Sequence, residues 1–417
     1  MTEPHAVLAR RELFPPAAVA AMLAFAGLPL YIHAPRYYAQ EMGVGLATLG
    51  IVLLAARAVD SLQDPVIGRL ADRWPRHREA WALVSGLLLF TGFALLFAPP
   101  QWGEALPRLA IGLLAAFTGF SALQIAVYDH GLAQAKAAGG GYTRIALWRE
   151  AGGLVGICLA AMAPAVLGSV FGAKFAYVGY AAVFGLFSLY ALGQMRSYWL
   201  ASGKSLPNTG FMDALRVPGI APLLTFGFVN ALPTAVTSTL FLFFVTDILA
   251  TDIHAGPMLL VFFAAAAMAA PAWAQLAERV GRKVALTVGM SLSIPAFVWA
   301  YLLGAGDIGA FYAIAFASGA ALGADMTLVS AMLAARIRES GGRMFSLWTF
   351  MQKTTLALGA GITLPALALA GYEPGSETLT EEGRRALSVA YALVPCALKL
   401  IAIPVLWIGV SDQGDDV

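Results

Sequence analysis

Charged side chains are scarce in this chain: 26 Lys and Arg and 24 Asp and Glu among 417 residues, or 12 %. Soluble globular domains carry about 25 %, so the composition excludes an ordinary water-soluble enzyme or binding module. The net charge is only +2 and no basic stripe with interleaved aromatics occurs, which excludes nucleic acid as a partner. Cysteine is nearly missing, and Cys158 and Cys396 both fall in apolar stretches, so no disulfide framework is expected. The sequence also lacks a His-x-x-x-His pair, a Gly-x-Ser-x-Gly elbow and any His/Cys grouping. Without a nucleophile-base set or a metal cluster, neither an intramembrane enzyme nor a resident cofactor is expected.

Apolar sequence is what the chain has in excess, with 59 % hydrophobic residues and a mean hydropathy of +0.75. Runs of about 20 residues, the length that crosses roughly 30 Å of hydrocarbon as a helix, lie near 16–38, 46–71, 80–98, 107–130, 144–168, 173–195, 221–246, 255–277, 283–304, 308–335, 344–370 and 385–410. They do not alternate apolar with polar, as the strands of a closed barrel would. The expected fold is an all-α, multi-pass membrane protein with twelve spans. The first run has two arginines before it and no small-residue cleavage site, so it is expected to stay as a span. Bases are retained on the cytoplasmic side of short loops. With the N-terminus on that side, sixteen bases, among them Arg73, Arg76, Arg279 and Arg282, fall in cytoplasmic loops, against Arg108, Lys174, Arg384 and Arg385 outside. Both termini are therefore expected in the cytoplasm, with the chain as a monomer in a cell's inner (plasma) membrane.

Shifting the sequence by 206 residues sets Glu41 on Asp247, Gly50 on Gly256, Pro65 on Pro271, Asp72 on Glu278 and Arg73 on Arg279. The polar stretch 196–220 then falls between spans six and seven. The expected domains are a six-helix bundle over 1–195, a cytoplasmic linker over 196–220 and a second six-helix bundle over 221–417.

Two carboxylates, Asp60 and Asp64, lie inside the second run, and the repeat sets them against Ala266 and Ala270. The scaffold does not require them. An acid at membrane depth costs a few kcal/mol or more, and residues four apart share a helix face roughly 6 Å apart. Like charges that close repel, and a bound cation resolves the repulsion. Gln63 beside them, with Thr118, Ser121 and Gln124 of span four, offers neutral oxygens. The competing reading is a buried ion pair of Asp60 with Arg57, one turn away.

GRLADRWPRHR (68–78) and its second copy AQLAERVGRK (274–283) resemble the signature of the major facilitator superfamily. The resemblance covers essentially the whole chain. It implies two bundles related by an axis along the membrane normal, a solute site between them and alternating access. Gly68, Asp72, Arg73 and Arg76, with Glu278, Arg279 and Arg282, then become gating residues, whose ion pairs form in one state and open in the other. Within that superfamily RAVDSLQDPVIG (57–68) resembles the helix-two motif of the sodium/melibiose symporter (glycoside-pentoside-hexuronide) group. That resemblance implies a coupling site for Na⁺ or H⁺ at Asp60, Asp64 and Gln63, with Asp60 and Asp64 as metal ligands if the ion is Na⁺. TRIALWREAGGLVG (143–156) and WTFMQKTTLALGAG (348–361) extend the likeness through Arg144, Arg149 and Lys353. The acid expected on helix one of that group is missing; Tyr31, His33, Arg36, Tyr37 and Tyr38 stand there instead, which disfavours a melibiose-like sugar.

Bases at membrane depth indicate the solute. Arg36, Arg149 and Lys353 favour a small anionic or zwitterionic molecule, with Tyr31, His33, Tyr128, Asp129, Asp325 and Trp348 as further contacts. The alternative for each base is a structural pair, Arg149 with Asp129, and Lys353 with Asp325 or Asp60; Lys399 either snorkels or pairs. Pro164 and Pro365 mark bends in spans five and eleven. Two other functions compete: export of an amphipathic compound or lysolipid transport, and a non-transporting assembly or sensing role on the same fold.

Overall fold

The computed structural model describes residues 9–73, 77–98, 104–138, 142–172, 175–199, 219–336, 341–375 and 379–410. Among the described residues the chain is helical throughout. α1 spans Arg10–Glu41, α2 Leu46–Arg73, α3 Arg78–Phe97, α4 Ala105–Ala137, α5 Tyr142–Phe171 and α6 Ala176–Met195. α7 spans Ile220–Asp247, α8 Ala255–Val280 and α9 Arg282–Tyr301. α10 runs from Ile308–Ala324 through a π-turn at Asp325–Val329 into Ser330–Arg336, α11 spans Gly341–Leu369 and α12 Glu381–Gly409.

Eleven of these helices are long and apolar enough to cross a membrane, so the chain is a multi-pass membrane protein. α11 is the exception. It has 29 residues, about 43 Å at 1.5 Å per residue, but Gln352, Lys353, Thr354 and Thr355 follow one another and dilute its hydropathy. Each of the twelve apolar runs read from sequence coincides with a helix, and this polar block is what separates the eleventh from the others.

The chain divides into two compact units, Met1–Ala34 with Ala55–Leu206, and Pro35–Leu54 with Pro207–Val417. Pro35–Leu54 belongs to the sequence-defined N-terminal half yet groups with the second unit. Contacts within that unit explain why. Arg36 pairs with Asp252 at 2.5 Å, a Cβ placed on Gly50 would lie 2.6 Å from the Pro365 ring, and one on Gly361 would lie 2.8 Å from Leu54.

In lipid there is little hydrophobic drive to join one helix to another, so small residues that let backbones approach hold the units together. In the first unit Gly152 and Gly156 lie one turn apart on α5. A Cβ there would come within 2.2 Å of the Ala17 carbonyl and 2.0 Å of the Ala21 carbonyl on α1. In the second unit Gly319 and Gly323 on α10 meet the Phe262 and Ala266 carbonyls of α8 in the same way, at 2.1 and 2.5 Å.

Prolines inside the helices create a second demand, because each removes the N–H that would bond the carbonyl four residues earlier. Pro29 in α1 orphans the Phe25 carbonyl, and Pro164 in α5 orphans that of Ala160. One side chain serves both. The Tyr180 hydroxyl of α6 lies 3.2 Å from each oxygen and shares its proton between them. Its ring is fully buried against Phe25, Phe93 and Phe97. The proline sites of α1 and α5 are therefore tied to the same residue.

Tyr180→Phe keeps the ring packing and removes the shared donor. Leaving buried acceptors unsatisfied costs about 1–3 kcal/mol, so the variant is expected to insert but to melt several degrees below wild type in detergent. An unchanged melting temperature would show that the two carbonyls find another donor.

Candidate functional site

The polar group on α2 is built across α2 and α4 of the first unit. Asp60 is 1 % exposed. Its Oδ1 accepts from Ser121 Oγ at 2.8 Å and from Gln63 Nε2 at 3.3 Å, and its Oδ2 accepts from Arg57 Nη1 at 3.1 Å. Thr118 Oγ1 donates toward Gln63 Oε1 at 2.9 Å, sharing its proton with the Leu114 carbonyl at 2.7 Å. Four of the five side chains chosen from sequence as a cation site are thus joined by hydrogen bonds. The fifth, Asp64, is half-buried one turn along the same face. Carboxylate, amide and hydroxyl oxygens are hard donors, which suit Na⁺, and the carboxylates alone suffice for H⁺.

The competing ion pair is present as well. Arg57 is 5 % exposed, and its guanidinium lies 3.6 Å from the Phe117 ring centre and 4.1 Å from that of Tyr31. Stacking on two faces offsets part of the desolvation of that base. Tyr31, read as a solute contact, is therefore part of the Arg57 sandwich.

The remaining solute candidates separate into distinct surroundings. His33 is buried beside Tyr177 and Tyr180 in the aromatic core of the first unit. Arg149 lies 4.0 Å from the half-exposed Tyr128 ring and pairs with Glu150 at 2.9 Å. Helical neighbours do not ordinarily face each other; here the long arginine side chain bends round to its neighbour. Asp129, expected as the alternative partner of Arg149, instead pairs with Arg78 of α3 at 2.6 Å. In the second unit Arg36 bonds Gln40 at 2.7 Å besides Asp252. Nearby Tyr372, beyond α11, donates to Asp247, and burial together with that carboxylate holds its phenol well above its ordinary range. Trp348 packs over Gly227 and the apolar core, and Lys353 is buried in α11.

Of the gating residues, Glu278 and Arg279 are exposed and Arg282 is half-buried at the α8–α9 junction. Gly68 lies within α2, where an added Cβ would meet nothing within 4 Å. The side chains of Asp72 and Arg73, and all of Arg76, lie outside the described residues, as does the side chain of Arg144.

A second charged group was only half legible in the sequence. Lys399 of α12 is 5 % exposed, and its ammonium donates to Asp325 Oδ2 at 2.6 Å, Asn230 Oδ1 at 2.7 Å and the Asn230 carbonyl at 3.4 Å. Asn230 Nδ2 in turn donates to Asp325 Oδ1 at 3.0 Å. Asp325 thus takes Lys399 as its partner, where the sequence had offered Lys353. A lone base in ALKLIAI (397–403) was the signal for Lys399, since a charge at membrane depth is functional or paired. Asn230 gave no signal, because its neighbours come from α10 and α12.

Comparison with known proteins agrees with this architecture. The family model described as MFS/sugar transport protein matches residues 14–408. The glucuronide carrier protein homolog of Escherichia coli (strain K12) is 23 % identical over 400 residues, covering 89 % of this chain and 86 % of that protein. A sodium-dependent lysophosphatidylcholine symporter of Gallus gallus is 28 % identical over 156 residues, 35 % of this chain and 29 % of that protein. In fold, the nucleoside transporter NupG superposes with a TM-score of 0.68 at 13 % identity, covering 95 % of this chain and 99 % of that one. A bacterial homolog of the human lysosomal transporter Spinster gives 0.64 at 14 % identity, with 99 % of each chain covered. The chain belongs to the MFS/sugar transport family of the major facilitator superfamily, on the branch that resembles the melibiose-type glycoside-pentoside-hexuronide transporters.

Proposed function

We propose that the protein is a secondary transporter that couples movement of Na⁺ or H⁺ to that of a small anionic or zwitterionic organic solute by alternating access, with both termini in the cytoplasm. The observation that carries this reading is the network of Asp60, Gln63, Ser121 and Thr118, four polar side chains linked across α2 and α4, with Asp60 and Ser121 buried. A structural pair needs only Arg57 and Asp60. The additional amide and hydroxyls, with Asp64 on the same face, are the donor set that a small cation takes. The Gallus gallus relative is named as sodium-dependent, which supports cation coupling. The Escherichia coli relative is named for glucuronides, which bear a carboxylate, and this supports an anionic solute held by Arg149 and Lys353. Asp72, Arg73 and Arg76, with Glu278, Arg279 and Arg282, serve as the gating pairs.

A lysolipid is the second reading, favoured by the lysophosphatidylcholine symporter match, which spans 156 residues. A zwitterionic headgroup meets the same requirement for buried bases.

Coupling is tested by uptake into proteoliposomes under an imposed Na⁺ or H⁺ gradient, beside counterflow without one. Asp64→Asn and Asp60→Asn are each expected to keep counterflow while accumulation falls to passive equilibration. Undiminished accumulation by both would leave the Arg57–Asp60 pair as the better account of the α2 charges.

Solute charge is tested separately. Lys353→Gln is expected to weaken binding of a carboxylate-bearing solute by about tenfold, or 1.4 kcal/mol, more than binding of its neutral analogue. Equal losses would assign Lys353 to structure.

A further inference from the structure

Lys399, Asp325 and Asn230 bring one base, one acid and one amide from α12, α10 and α7 to a single point in the second unit. Asp325 is the first residue of the π-turn in α10, a backbone irregularity that often marks functional positions. The pair also forms the charged wall of a cavity of about 30 Å³, room for about two water molecules or one carboxylate head. Its other walls include Thr234, Thr237, Ser293, Ser318, Phe262 and Phe297. Among the described residues lining it, Asp325 and Lys399 alone titrate. Cys396, one turn before Lys399, is turned to the Ile294 carbonyl.

We propose that this cavity is a receptor for a small carboxylate anion whose occupancy requires protonation of Asp325. The charge balance dictates the linkage. As it stands the site is neutral, with the ammonium and the carboxylate satisfying each other. An anion that simply joined Lys399 would leave two negative charges on one base in a low-dielectric setting, which is strongly disfavoured. If a proton from the medium first binds Asp325 Oδ2, the new O–H makes the acid neutral and frees one N–H of Lys399. The ammonium keeps Asn230 Oδ1 and the Asn230 carbonyl, and its third proton turns to the anion. Asn230 Nδ2 still donates to the remaining Asp325 oxygen. One proton and one anion enter together, and the site stays neutral. Thr237, Ser293 and Ser318 give their hydroxyl protons to carbonyls of their own helices, so the donor for the anion's second oxygen is Thr234 or one of these three turned away from its carbonyl.

The site rests on the anionic-solute reading for its use in transport, but its binding equilibrium does not. The test uses acetate and the purified full-length protein, titrated calorimetrically in buffers of different ionisation enthalpy, with no membrane and no ion gradient. In the wild type, about one proton is expected to be taken up per acetate bound, and affinity is expected to fall about tenfold for each unit by which the pH is raised over the range where the Lys399–Asp325 ion pair is formed. Asp325→Asn, which mimics the protonated acid, is expected to bind acetate without proton uptake, with an affinity independent of pH. Lys399→Gln is expected to lose binding at every pH. If Lys399→Gln does not fold, the contrast between the wild type and Asp325→Asn decides alone. The proposal is overturned by absence of acetate binding to the wild type, by binding without proton uptake, or by uptake that persists in Asp325→Asn. Acetate binding with proton uptake in a protein that moves no anion across vesicles would sustain the site and sink the transport reading.

Discussion

A polar group within hydrocarbon has no water to turn to, so its partner has to come from the protein. That constraint shapes this molecule from backbone to charge. The prolines inside α1 and α5 are tolerated because Tyr180 supplies a donor to both orphaned carbonyls. The glycine seams of α5 on α1 and of α10 on α8 serve the same end by another route, bringing helical backbones close enough for dispersion to hold them where no hydrophobic drive remains. Proline and close approaches occur together in the first unit, where α1 carries both Pro29 and the surface that receives Gly152 and Gly156.

The buried charges obey the same constraint but answer it with different geometry. Asp60 has its base on its own helix, one turn away, and gathers Ser121 from α4. Such a pair travels with α2 as a unit, while its stacking on Tyr31 and Phe117 and its bond to Ser121 tie it to α1 and α4. Asp325 draws its base from α12 and its amide from α7, so any shift among those three helices changes the pair directly. Asp129 and Arg78 likewise join α4 to α3. A carboxylate with a local counter-charge is stable enough to wait for a mobile ion, whereas one whose counter-charge arrives from other helices is sensitive to their positions. The first arrangement suits an ion-binding site, and the second suits a switch.

Most of the fold was legible because hydropathy at span length is nearly a direct readout of the bilayer. Each of the twelve apolar runs coincides with a helix, and the weakest of them, α11, was weakened by the polar residues that made it interesting. The α2 site was legible for a local reason: Asp60, Gln63 and Asp64 are within five positions of one another, and helical periodicity alone puts them on one side. Its completion by Thr118 and Ser121 depended on α4 meeting α2. What sequence periodicity misses is the partner from another helix. Arg78 counts among the cytoplasmic-loop bases, yet it is buried on Asp129; Lys399 is read as snorkelling or pairing with no partner named, and it holds Asp325 and Asn230. The grouping of Pro35–Leu54 with the second unit is of the same kind, since it follows from Arg36 meeting Asp252 and Gly50 meeting Pro365, contacts separated by more than two hundred residues.

The repeat gives these charges their meaning. Asp60 and Asp64 face alanines in the register of the second half, and Asp325 and Lys399 have no charged counterpart forced on them by the scaffold. A fold that needed ion pairs only for stability would have little reason to place them asymmetrically, because well-packed apolar residues serve as well or better in a buried setting. The chain instead keeps a carboxylate network in one unit and a base-centred one in the other. On the proposed function, the first network would serve the cation and the second, once Asp325 is protonated, the anion, so the asymmetry matches what co-transport of the two would use.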